Sequence, residues 1–126
     1  MQLVKYGEGA LRQPPVPNAP TVEVVLGGVE GGPDVGLVRV RIPAGAGMSA
    51  HRHSGSDVIL TPIAGMVRIS KGDESVEVNV GDSVLVEKDE EVALSNPGSS
   101  GAEVIVAAGP ASFVASIRRW PEPAAS

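Results

Sequence analysis

The chain of 126 residues has no cysteine, which excludes a disulfide framework and all thiolate chemistry and suits a cytoplasmic protein. Aromatic residues are nearly absent, since Tyr6, Phe113 and Trp120 are the whole set. With 42% hydrophobic residues, the interior must be built from Val, Ile, Leu and Ala, a composition that favours strands. No stretch approaches the roughly 18 consecutive apolar residues of a membrane span, and the N-terminal segment lacks the apolar run of about 7–15 residues that marks a signal peptide. A soluble cytoplasmic protein with no membrane partner is the expectation. Basic residues are outnumbered, 10 Lys and Arg against 15 Asp and Glu for a net charge of −5, and only Arg118 and Arg119 adjoin. Nucleic acid needs a clustered positive face, so it is excluded as a partner, and the arginine pair reads as a solvated strand end.

What is present has the length of one domain. Residues 13–20, "QPPVPNAP", hold four prolines, which block helix and central strand alike. Residues 1–20 therefore read as a Pro-rich N-terminal arm, residues 21–120 as one β domain, and residues 121–126 as a flexible tail. Within the domain the apolar pattern has period two: Val38, Val40 and Ile42 share one face in "GLVRVRI", as do Val76, Val78 and Val80 in "SVEVNV". Turn signals such as "GGPD", "PAGAG", "KGDE", "VGDS" and "NPGSSG" separate these runs. Many short strands at close spacing predict an all-β sandwich or barrel. No run keeps a helical period, and "FVASIRRW" reads as a final strand.

Both histidines lie in "AGMSAHRHSGSDVILTPIAG". On a strand, Ser49, His51 and His53 point to one side, and two imidazoles on one face suit a divalent ion. Ser54, Ser56 and Asp57 complete the residue types of a Ser-His-Asp triad, but all lie in one short hairpin with nothing to form an oxyanion hole. A hydrolase is not expected.

The segment resembles the first motif of the cupin superfamily: Gly, five residues, His-x-His, three or four residues, Glu, six residues, Gly. Gly45, His51, His53 and Gly65 match it. "GDSVLVEKDEEVALSN" is similar to the second motif: Gly, five residues, Pro-x-Gly, two residues, His, three residues, Asn. There Gly81 and Asn96 fall in register. The resemblance covers about residues 36–110 and implies a small jelly-roll β-barrel.

The departures fall on the metal ligands. The spacing that satisfies the whole first motif puts Val58 where the family has its metal-binding Glu, and the second motif puts Val92 at its third metal-binding His. His51 and His53 alone fall short of the three protein ligands of a catalytic zinc, or of the two histidines and a carboxylate that hold non-haem iron. A bulge near Pro62 that turned Asp57 inward would restore a set of His51, His53 and Asp57. The alternative places Asp57 at the loop end, bonded to backbone.

These readings imply a cupin barrel that binds a small molecule in a pocket lined by Ser49, His51, His53, Val58, Val92 and Asn96, with Met48 and Trp120 as further candidates. No cofactor is certain, and metal is bound weakly or not at all. One rival is a metal-dependent cupin enzyme of the dioxygenase, decarboxylase, isomerase or lyase class, using Zn, Fe, Mn or Ni on His51, His53 and Asp57. The other is a structural or partner-binding barrel. The resemblance also implies a homodimer, and the arm, packed across a neighbour to cover the edge of "TVEVVL", is its expected cause.

Overall fold

A computed structural model describes residues 1–53 and 55–124. The described strands are β1 (Ala10–Arg12), β2 (Thr21–Leu26), β3 (Gly36–Ile42), β4 (Gly47–His51), β5 (Asp57–Ala64), β6 (Met66–Lys71), β7 (Glu74–Asn79), β8 (Val84–Val86), β9 (Val92–Ser95) and β10 (Ala102–Gly109), followed by helix α1 (Ser112–Arg118). They form two antiparallel sheets, in the orders β1-β2-β3-β10-β5-β8 and β4-β9-β6-β7. The all-β jelly-roll barrel is the fold observed.

The period-two pattern produces the core directly. Val38, Val40 and Ile42 of β3 face inward beside Val104 and Val106 of β10 and Val58 and Leu60 of β5, all buried. Burying each such side chain is worth about 1.5–3 kcal/mol, so a valine-rich interior suffices without aromatic bulk. On edge strand β7 only Val78 is buried, and Val76 is 51% exposed because no further strand covers that end.

The structure changes four expectations. Part of the arm is a strand of the domain: Ala10, Leu11 and Arg12 pair with Val24, Glu23 and Val22 of the same chain, so β2 has its edge covered without a neighbour. The prolines begin only after β1. Ahead of that strand, Gly9 N–H donates to the buried carboxylate of Glu23 at 2.9 Å, and the Tyr6 ring lies 4.8 Å from the guanidinium of Arg39. Those contacts tie the segment to the outer sheet face.

"FVASIRRW" forms α1 rather than a strand. A helix of seven residues is marginal alone, and packing sustains it: Val114 and Ile117 are buried. Its N-terminus has no cap from its own Ala111. The cap comes from Ser56, fully buried, whose Oγ accepts Phe113 N–H at 3.1 Å and donates to Pro110 C=O at 2.6 Å. At the other end Arg118 is no solvated strand end, since its Nε donates to Gly27 C=O at 2.8 Å. Gly28, at φ 77°, lets the helix approach, because a Cβ there would meet Ala115 N at 2.7 Å.

The tail assignment is modified at its start, where Pro121 C=O accepts Gln13 N–H at 2.9 Å. Ala125 and Ser126, and Ser54 of the triad considered above, lie outside the described residues.

Candidate functional site

Between the two sheets lies a cavity of about 200 Å³, with α1 and Trp120 contributing to its wall. Strands of both sheets supply apolar side chains to it, among them Val40, Val58, Leu60, Val92 and Val106. Among the described residues, the polar side chains of the wall are those of His51, Arg52, His53 and Ser116, with the indole N–H of Trp120.

His51 ends β4, and its Nδ1 lies 2.8 Å from the backbone oxygen of Ser49. A carbonyl oxygen only accepts, so Nδ1 carries the proton and Nε2 keeps the lone pair. His53 follows two residues later, 7% exposed, with its ring edge-to-face against both His51 at 4.9 Å and Phe113 at 4.7 Å between centroids. Burial, and after it the charge of His51, lowers the His53 pKa to about 4, so the ring is neutral at neutral pH. Its Nδ1 is buried without a hydrogen-bond partner among the described residues.

Ser49 does not join the histidines in the wall. In the pairing of β4 with β9, Met48 stands opposite Leu94 and His51 opposite Val92, and the register shifts between them. The extra residue is a bulge, which breaks the alternation, turns Met48 and His51 to the cavity and leaves Ser49 exposed.

Asn96 is buried but also stands outside the wall. Its Nδ2 donates to Ile42 and Ser100 C=O at 2.8 and 2.9 Å, and its Oδ1 accepts Gly98 N–H at 3.0 Å. With all those groups engaged it fixes the turn after β9.

Asp57 lies on the face of β5 opposite to Val58. A register shift does occur near Pro62, but between its pairing with Val104 and that of Ala64 with Glu103, so residues 57–62 keep an unbroken register with β10. Val58 and Leu60 therefore face inward and Asp57 outward, where its Oδ1 accepts Lys88 N–H at 2.9 Å. The loop-end role is the one its geometry serves.

Val58 and Val92 both line the cavity with the two histidines, and Val92 pairs directly with His51. Among the described residues no three of His, Cys, Asp and Glu come together as a metal set. Two imidazoles facing valines do not fit the donor set that a catalytic metal requires. The cavity offers hydrocarbon where such a site needs anionic or imidazole ligands.

Arg52, Phe113, Ser116 and Ile117 join the wall without having been singled out in the sequence. Phe113, Ile117 and Trp120 recur at i, i+4 and i+7, a helical period confined to one short segment.

No helix among the described residues is long and apolar enough to cross a membrane. No curated protein matches the chain in sequence. Solved structures show the fold. A predicted oxalate decarboxylase from Thermotoga maritima is 16% identical over 86% of this chain and 99% of its own, with a TM-score of 0.74. The polyketide cyclase RemF from Streptomyces resistomycificus is 14% identical over 86% and 79%, with a TM-score of 0.73. An RmlC-like cupin from Shewanella frigidimarina is 16% identical over 88% and 93%, with a TM-score of 0.67. At such identities the likeness is one of fold, not of activity. The family described as Cupin domain matches residues 38–108, more than half of the sequence and both histidines, and the chain belongs to the cupin family.

Proposed function

We propose that this cupin binds a small, largely apolar molecule in its barrel cavity, without a resident catalytic metal. The observation that carries this reading is the replacement of two ligand positions by Val58 and Val92 in the wall of a largely apolar cavity of about 200 Å³. A void lined by hydrocarbon holds water poorly and gains free energy when an apolar guest fills it. His51 and His53 are then the groups that orient the guest.

Elemental analysis of protein made without a histidine tag, paired with melting temperatures in the presence of small apolar compounds, tests the reading. Substoichiometric metal and a ligand-dependent rise in melting temperature support it. One tightly held metal ion per chain, with no rise for any compound, contradicts it and favours a metal-dependent enzyme. A homodimer stays part of the proposal, with light scattering as its check; β1 pairs within the chain, so the arm's part in a dimer is read by repeating the measurement on a chain that begins at Val35.

A further inference from the structure

The polar atoms of the cavity wall define what a guest must carry. Of the wall's five polar side chains among the described residues, Trp120 carries only a donor N–H, and two others are spent within the protein. Arg52 donates to Asp89 C=O at 3.1 Å and to the Glu91 carboxylate at 3.0 Å. Ser116 Oγ donates to Phe113 C=O at 2.7 Å. Among the described residues the only cation of the wall, Arg52, is already paired with Glu91, and burying an uncompensated anion among valines is strongly unfavourable.

The histidines remain. His51 has its Nδ1–H committed to Ser49 C=O, 2.8 Å away, which leaves Nε2 as a hydrogen-bond acceptor. His53 has an Nδ1 with no hydrogen-bond partner among the described residues, in a ring only 7% exposed. A buried nitrogen without a partner is less costly as a bare lone pair than as an orphaned N–H. The proton of the neutral His53 ring therefore sits on Nε2, which becomes a donor. Neighbouring rings, 4.9 Å apart between centroids, thus present one acceptor and one donor to the same cavity.

A hydroxyl group answers both, because it gives one hydrogen and accepts another on the same oxygen. A carboxylate cannot give one, and a hydrocarbon satisfies neither. The volume sets the rest: an engineered cavity of about 150 Å³ takes benzene, so about 200 Å³ admits one ring with a small substituent.

Resting on the proposed small-molecule function, we propose that the guest is an uncharged, single-ring molecule bearing a hydroxyl, of the phenol or cyclic-alcohol class. Its O–H donates to His51 Nε2 and its oxygen accepts from His53 Nε2–H.

Isothermal titration calorimetry of the full-length, metal-free protein with phenol, toluene and benzoate tests this. Phenol should bind about tenfold more tightly than toluene, the worth of a hydrogen bond made in a dry site, and benzoate should give no heat. In His51→Leu, phenol should fall to the affinity of toluene while toluene binding persists, which also reports that the variant is folded. Toluene equal to phenol in the parent protein, or benzoate tighter than phenol, overturns the hydroxyl assignment and leaves an apolar binding pocket standing. Binding of none of the three overturns that pocket as well.

Discussion

Val92 on β9 pairs directly with His51 on β4, and both side chains line the cavity. In the family's second motif that valine position carries an imidazole, so the partner needed to complete a ligand set across the strands is here an aliphatic group.

Restoring the ligands should therefore restore the metal. The double substitution Val58→Glu with Val92→His puts a carboxylate and an imidazole on two cavity-facing positions beside His51 and His53. Zinc affinity measured by calorimetry should rise strongly. The metal-free double variant should melt below the parent, because polar groups then replace packed hydrocarbon without partners. Unchanged zinc affinity would mean that these four positions do not converge.

The buried hydroxyl of Ser56 holds α1 by its first turn and bonds Pro110 C=O as well. Ser56→Ala leaves both groups unpaired and should lower stability by about 2 kcal/mol in urea denaturation. Ligand affinity should fall with it, since Phe113 and Ile117 line the cavity from that helix. A stability equal to the parent's refutes this account of the helix.

Glu23 is 1% exposed and faces Arg39 at 3.5 Å and Arg41 at 3.9 Å while accepting Gly9 N–H. Glu23→Ala strands a largely buried guanidinium and should cost about 3 kcal/mol. It should also release the first nine residues to limited proteolysis, read by mass spectrometry, whereas the parent should resist cleavage there.

Acid should weaken the fold through His53. Its folded pKa is lowered to about 4, chiefly by burial, from 6.5. The unfolded state therefore takes up a proton that the folded state refuses as pH drops below 6.5. Stability from this residue is complete above that value and is lost progressively down to about pH 4, by on the order of 2 kcal/mol. Urea midpoints near pH 7 and near pH 4.5 should differ more in the parent than in His53→Leu. Equal differences would contradict a buried neutral His53.

The strand pattern was legible because the alternation of Val38, Val40 and Ile42, and of Val58 and Leu60, is the physical signature of one buried sheet face. The placement of Val58 and Val92 followed from the spacing of the two motifs. Ser49 was misplaced by counting along the alternation, because a bulge between Met48 and His51 is set by pairing with β9, which local sequence does not record. Helix α1 was hidden because its cap lies on Ser56, 57 residues from Phe113. Asn96 looked like a pocket residue from its motif, yet its amide serves the backbone of Ile42, Gly98 and Ser100. Pairing of Ala10–Arg12 with β2 was masked by the prolines that follow it.

On this reading a small, largely apolar guest, and not a metal ion, occupies the space between the sheets. Methyl-resolved NMR of tag-free protein, confirmed metal-free and titrated with phenol, addresses it directly. Saturable shifts should appear at the methyls of Val58, Leu60, Val92 and Val106, which line the cavity, and zinc should leave those methyls unmoved. Methyls that ignore phenol but respond stoichiometrically to zinc would contradict the account.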